Sequence, residues 1–313
     1  MKHHIERAKH VYADRGLSDL IRTAVTYAPI ELNNAIFQLR YGDGIHVVDE
    51  DWDNLILLDA CRYDMFADRI TLDGELQSRI SLGSTSEEFL ERNFGDRTFH
   101  DIAYVNTNPY LSRLGLDDGT FHAVIDLLEE WDPELGTIHP QAVVEAAQEA
   151  HAEYPNKRLI IHFMQPHIPF IGDVGQEIAG TGWSTDNTKV DTKSVWSHLR
   201  NGSKTVDIDT VWKAYNENLD IVLSHVASLL KSVSGKTVIS ADHGNFVGEQ
   251  SSPVPTKQMY GHPYGVYAPE LVRVPWFIIE SGERREINSD PPVASESQSE
   301  ETIEKRLQAL GYK

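Results

Sequence analysis

The chain of 313 residues is predicted to be an α/β protein with a doubly wound, mainly parallel sheet and helices on both faces. Three observations predict this. Compact apolar runs bounded by turn formers, such as Leu55–Leu58 ahead of Asp59, read as strands buried on both faces. Amphipathic stretches alternate with those runs, and that alternation yields a parallel sheet between helical layers. Asp or His follows several of the runs, at the carboxyl end where open α/β sheets place their ligands.

Residues 1–44 read as a helical extension packed on the main domain. Ile5, Ala8 and Val11 recur at helical spacing, as do Leu17, Leu20 and Ala24. Pro29 opens a further helix carrying Leu32, Ala35, Ile36 and Leu39, and Tyr41-Gly-Asp-Gly44 ends it. His3, His4 and His10 are expected to be solvated. The α/β domain spans 45–282. Its strands are read at 54–58, 78–82, 102–105, 158–164, 236–241 and 274–279, with helices at 87–93, 120–130, 140–153 and 206–232. Residues 172–205, rich in Gly, Ser, Thr, Asn and Asp, read as a long surface loop, a length usually tied to function or disorder. The polar run 283–301 carries two prolines and no apolar periodicity and reads as flexible. With a short helix over 302–310 it makes 283–313 a tail.

Charge narrows the function. The chain carries 48 acidic and 28 basic residues, a net charge of −20. Phosphate backbones and anionic lipids select basic surfaces, which excludes nucleic acid as a partner class. So acidic a surface suits concentrated salt, where self-repulsion is screened, and a halophilic source is one expectation. The single cysteine, Cys61, permits no intrachain disulfide and fits a reducing compartment. No window reaches the apolar length of a membrane-spanning helix, and MKHHIERAKH lacks the apolar core of a signal peptide. A soluble, cytoplasmic protein without stable membrane insertion is expected; nothing signals its oligomeric state.

The candidate chemistry sits at strand ends. Asp59 follows LILL, His167 follows LIIHFMQP, and Asp242-His243 follows TVISA. Asp59 alone reads equally well as a metal ligand or as a cap for the helix near Ala60. Carboxylates with imidazoles suit Zn²⁺ or Mn²⁺, and an oxygen-richer shell suits Ca²⁺ or Mg²⁺. His262, in Tyr260-Gly-His-Pro263, offers a further imidazole, and Gly244 reads as the residue that lets the chain turn after His243. Ser84, Thr85 and Ser86 supply hydroxyls at a helix start, since Thr85 with Glu88 makes a capping box. A hydroxyl there, beside a divalent cation, is a candidate nucleophile, and simple capping is the competing reading. Arg62 has the fork of an anion clamp, with Asp64 orienting it or capping the helix. Cys61 has no patterned partner and reads as a small residue lining the site.

These residues resemble the sulfatase-like branch of the alkaline phosphatase superfamily. The resemblance rests on LILLDACRYD, the Gly-Ser-Thr-Ser helix start, HFMQPHIPF, VISADHGNFVGE and YGHPYGVYAPELVRVPWFI, in that order over roughly residues 52–280. It implies a doubly wound α/β sandwich with a divalent metal on elements like those holding Asp59, Asp242 and His243. It also implies a hydroxyl or formylglycine nucleophile, His167 on the transferred group, and His262 close to the metal or the leaving group. Neither Cys61 nor Thr85 stands in a C/S-x-P-x-R context, and Gln165 stands where many relatives have Asp. The function so implied is a metal-dependent hydrolase or transferase acting on a phosphate ester, or a sulfate ester, of a small molecule, glycan or lipid. A sulfatase with a modified nucleophile is one alternative, and a degenerate binding protein of the same fold is the other.

Overall fold

Strand β1 (Asn54–Leu58) is buried at every position and occupies the middle of a seven-stranded sheet. The computed structural model describes residues 27–178, 195–202, 207–293 and 298–312. The other sheet strands are β2 (Glu75–Ile80), β3 (Phe99–Asn106), β4 (Phe121–Asp126), β5 (Arg158–Phe163), β6 (Gly235–Ser240) and β7 (Arg273–Ser281). Their order across the sheet is β2-β7-β6-β1-β5-β3-β4. Strand β1 pairs in parallel with β5 and β6, and β3 pairs in parallel with β5 and β4. Strand β7 runs antiparallel to both of its neighbours, β6 and β2.

The period of two splits β1 between two cores. Ile56 and Leu58 pack with Ile161, Phe163 and Ile239 against helices α4 (Pro140–Glu153) and α5 (Ile208–Leu229), through Val143, Ala147, Leu219 and Val222. Leu55 and Leu57 face the other way, with Tyr104, Val238 and Trp276, onto Phe89, Leu90 and Phe94 of helix α3 (Ser86–Phe94). Both faces of the sheet are therefore covered, as the apolar runs predicted. Helix α2 (Tyr63–Arg69) follows the β1 turn and buries Met65 and Phe66.

Four segments differ from the sequence reading. Residues 121–126 are the edge strand β4 rather than part of a helix, and Phe121 and Ala123 are its buried positions. That period of two is short, and it ends where the helix-like spacing of Leu127 and Leu128 begins. In the helix α1, residues 27–41, Asn33, Asn34 and Phe37 face inward, while Leu32 and Leu39 are exposed. The inward asparagines bind backbone: Asn33 Nδ2 donates to the Val254 carbonyl at 2.7 Å and Asn34 Nδ2 to that of Gly265 at 2.8 Å. Polar residues thus form the contact that a hydrophobic pattern assigned to leucines.

Residues 283–293, read as flexible, lie across the amino ends of the strands. Arg284 binds Asp51 and Asp53, Arg285 donates to Asn54 Oδ1, and Lys157 Nζ meets Asp290 at 2.6 Å. Individually weak ion pairs hold the segment because they act together. After it, helix α6 (Glu300–Ala309) buries Ile303 and Leu307 beside the short helix Tyr110–Arg113, so the described residues of the tail are part of the packed structure. Within 172–205, short helices occupy Asp173–Glu177 and Val195–Arg200; residues 179–194 and 203–206 lie outside the described residues, as do His3, His4 and His10. Among the described residues no helix is long and apolar enough to cross a membrane.

Candidate active site and metal centre

The parallel register that pairs Leu57 with Ser240 carries Asp59 and Asp242 off the sheet side by side. The turn after β1 is tight: Ala60 is left-handed (φ 61°), a conformation that costs a residue with a Cβ of order 1 kcal/mol. It aims the Ala60 N–H at Asp242 Oδ1, at 3.0 Å. The same oxygen accepts the His243 N–H at 2.8 Å. Gly244 adopts no left-handed angle; its reason is space, because a Cβ there would lie 2.3 Å from the Glu270 carbonyl. This corrects the expectation that Gly244 provides a turn.

Helix α3 delivers the hydroxyls. Thr85 is its N-cap, with Oγ1 accepting the Glu88 N–H at 3.1 Å. Glu88 reaches back to the N–H and hydroxyl of Ser84, at 2.9 and 3.0 Å. Gly83 lets the loop close on the helix, for a Cβ would stand 2.2 Å from the Phe89 nitrogen. With the cap function on Thr85, Ser86 is free to point into the acid pair. Its Oγ lies 2.7 Å from Asp242 Oδ2, 3.2 Å from Asp59 Oδ2 and 3.3 Å from His243 Nε2. All four residues are without exposed surface.

Two carboxylates so close and so dry do not stay equally charged. Burial and the Asp242 charge push the Asp59 carboxyl well above its ordinary value. Burial opposes Asp242 too, but His243, His162, the Ser86 hydroxyl and the Ala60 N–H together hold it below the usual range. Asp59 Oδ2 also accepts from Asn108 Nδ2 at 2.9 Å, whereas Asp59 Oδ1 has no hydrogen-bond partner. A buried carboxylate oxygen left unpaired is costly, and a cation is the natural remedy. Ligand atoms of Asp59, Asp242 and His243 all lie within 4.8 Å of one another. His243 Nδ1 donates to the Gly244 carbonyl at 2.8 Å, which turns Nε2 towards the acid pair, the atom a cation would bind. Two carboxylates, an imidazole and a hydroxyl fit a divalent cation, with donors of the kind Zn²⁺ or Mn²⁺ accepts.

His167 and His262 form a second layer. The His167 ring centroid is 5.1 Å from that of His262, which is 4.5 Å from that of His243. His262, expected among the ligands, stands beside the triad instead, its Nδ1 held by Asn245 Oδ1 at 2.7 Å and its Nε2 3.1 Å from the Tyr312 hydroxyl. Burial, then His243, lowers both imidazoles, His167 to about 4, so both are neutral near pH 7. They border a cavity of about 230 Å³ shared with Thr85, Trp196, Arg200 and Tyr260.

Arg62, expected as an anion clamp, does not line that cavity. Its guanidinium holds both oxygens of Asp64, at 2.9 and 2.6 Å, with Glu249 at 2.5 Å and the Asn245 carbonyl at 3.0 Å. The fork is already committed to protein acceptors, and through Asn245 it supports His262. Cys61 is fully buried, its thiol pushed up by burial, and it is also absent from the cavity wall. Gln165 donates from Nε2 to the Ile138 carbonyl at 3.1 Å.

Four residues of the site escaped the sequence reading. Asn108 follows the carboxyl end of β3, and the strand-end rule that found Asp59 would have found it. His162 lies inside β5 beneath the cluster, with Nε2 3.8 Å from Asp242 Oδ2 and Nδ1 2.9 Å from the Tyr104 hydroxyl. Asn245 carries no local signal that sets it apart in the turn after β6, and Tyr312 lies just past the short helix of the tail, where no pattern marks it.

No family model matches this chain, and no curated protein matches it. Solved structures do resemble it. One is the lipooligosaccharide phosphoethanolamine transferase A of Neisseria meningitidis, at 12% identity and a TM-score of 0.48 over 90% of this chain and 59% of that one. A putative sulfatase from Bacteroides thetaiotaomicron is 14% identical, with a TM-score of 0.44 over 76% and 66% of the two chains. A protein in the alkaline phosphatase superfamily from Vibrio parahaemolyticus is 11% identical, with a TM-score of 0.40 over 91% and 74%. The chain thus spans only 59% of the length of the Neisseria transferase.

Proposed function

We propose that this protein is a divalent-metal-dependent hydrolase or transferase of phosphate esters, with Ser86 as the attacking hydroxyl. The observation that carries the reading is Ser86 Oγ, buried between Asp242 Oδ2 at 2.7 Å and Asp59 Oδ2 at 3.2 Å at the start of α3. Asp59, Asp242 and His243 would hold the cation, which would lower the hydroxyl pKa and offset charge on the transferred group. The Ser86 proton has its acceptor in place, Asp242 Oδ2. The N–H groups of the first turn of α3 suit an anionic phosphoryl group. His167 and His262 face the cavity side, where an ester oxygen would arrive. Thr85, the other candidate nucleophile, serves as cap and cavity wall.

Phosphate is favoured over sulfate because a plain hydroxyl suffices for it, and neither Cys61 nor Thr85 stands in the C/S-x-P-x-R context of a modified nucleophile. A small-molecule, glycan or lipid ester is the substrate class. The test is purified protein with Zn²⁺ or Mn²⁺ against an aryl phosphate and an aryl phosphodiester. Turnover that is lost in Ser86→Ala and Asp242→Ala supports the assignment. Turnover that survives both substitutions and exhaustive chelation sinks it.

A further inference from the structure

The buried Ser86 cluster does not border the cavity beside it, and the Tyr312 side chain is part of the wall between them. Thr85, His167 and His262 border the cavity, but Ser86, Asp59, Asp242 and His243 do not. Between the two layers stands Tyr312. Its hydroxyl lies 3.1 Å from His262 Nε2 and 3.3 Å from His167 Nε2. Its ring stacks on His167 at an interplanar angle of 12° and meets Tyr110 edge-on at 5.0 Å. Helix α6 brings it there, anchored by Ile303, Leu307 and Leu310.

The hydrogen bonds of the two imidazoles show that this contact is incomplete. His167 Nδ1 is 2.6 Å from the Ile168 carbonyl, which can only accept, so the proton is on Nδ1. Asn245 uses its Nδ2 on the Tyr215 hydroxyl and so presents Oδ1 to His262 Nδ1, which places that proton on Nδ1 too. Both Nε2 atoms are therefore acceptors. The Tyr312 hydroxyl has one proton and can satisfy only one of them. One acceptor remains short, and both separations are long for an O–H donor.

We propose that Tyr312 is a displaceable internal occupant: its hydroxyl holds the place of a substrate hydroxyl or ester group at the two imidazoles and closes the Ser86 cluster until substrate moves it. The functional consequence rests on the reading of Ser86 as nucleophile; the occupancy itself does not. A neutral hydrogen bond shared between two acceptors is a weak latch; the hydroxyl also meets Ser86, the ring packs on Tyr110, His167 and His262, and the Tyr312 N–H is bound to the Leu307 carbonyl at 2.9 Å.

The experiment separates the two claims. Diethyl pyrocarbonate acylates neutral imidazole nitrogen, and peptide mass spectrometry reads the rate at His167 and His262 against exposed His46. In Tyr312→Ala both rates should rise by about fivefold or more, the factor that one neutral hydrogen bond is worth. Tyr312→Leu keeps an apolar side chain to seat the segment and should show the same rise. Unchanged rates in both variants overturn the occupancy. Turnover of a small aryl phosphate should be equal or faster in Tyr312→Ala. A tenfold fall in kcat alongside faster acylation makes Tyr312 part of the machinery and overturns its role as an occupant. Faster acylation with no turnover in any form supports the occupancy and overturns the Ser86 reading.

Discussion

Ser86 Oγ stands 2.7 Å from Asp242 Oδ2, and neither residue has any exposed surface. The neighbouring Thr85 hydroxyl is 3.1 Å from the Glu88 N–H and faces the cavity. Adjacent hydroxyls are thus divided between capping and the acid pair. Thr85→Ala is expected to lose a cap, about 1 kcal/mol of stability by thermal or urea unfolding, and to keep turnover within about tenfold. Ser86→Ala should cost about 1 kcal/mol or more, since buried Asp242 Oδ2 loses a donor, and lose turnover by about a thousandfold or more, as expected of a nucleophile. The opposite pattern would move the nucleophile to Thr85.

Asp59 carries the raised carboxyl and the unpaired oxygen. Removing its charge should therefore have opposite effects with and without metal. In metal-free protein Asp59→Asn should match or exceed the wild type in melting temperature, since a buried like-charge contact disappears. Saturation with Zn²⁺ at a hundred times its Kd should stabilise the wild type by about 2.7 kcal/mol and leave the variant nearly unmoved. Calorimetry with metal analysis checks both halves. A variant that binds Zn²⁺ as tightly as the wild type removes Asp59 from the ligand set.

Arg62 is buried, and its partners Asp64 and Glu249 are partly exposed. Arg62→Ala should cost about 2 kcal/mol, less than a fully buried pair because solvent reaches the stranded carboxylates. Arg62→Lys should recover little, lacking the fork. A clamp on substrate would instead raise KM with stability intact, so unfolding and kinetics on the same variants decide between the roles.

The strap across the strand amino ends titrates in acid. Hydrogen bonds from Arg284 and then Lys236 lower Asp51 to about 2, from 3.8. The folded value lies below the unfolded one, so this contribution is complete above about pH 4 and fades as pH falls towards 2. Asp51 is largely exposed, which limits it to about 0.5 kcal/mol. Arg284→Ala should flatten the stability slope between pH 4 and pH 2; an unchanged slope would show that Arg284 does not hold Asp51 in solution.

By itself the sequence determined the layers and the reactive end of the sheet. Apolar runs at Leu55–Leu58 and 158–164, bounded by turn formers, read as two-sided strands, and their following polar residues then lie at one edge. Asp59, Asp242 and His243 were legible for that reason, and so was the helix start at Thr85 and Ser86. Local patterns could not divide the two hydroxyls, because a cap and a residue facing the acid pair have the same composition; only the folded chain sets Thr85 Oγ1 on the Glu88 N–H and Ser86 Oγ on Asp242 Oδ2. They could not show that the Arg62 fork is spent on Asp64, Glu249 and Asn245, since those partners are chosen by packing. Nor could they place Tyr312 beside His167 and His262. It arrives because the helix that buries Ile303 and Leu307 packs on the short helix Tyr110–Arg113, a contact between distant parts of the chain that only the folded structure creates.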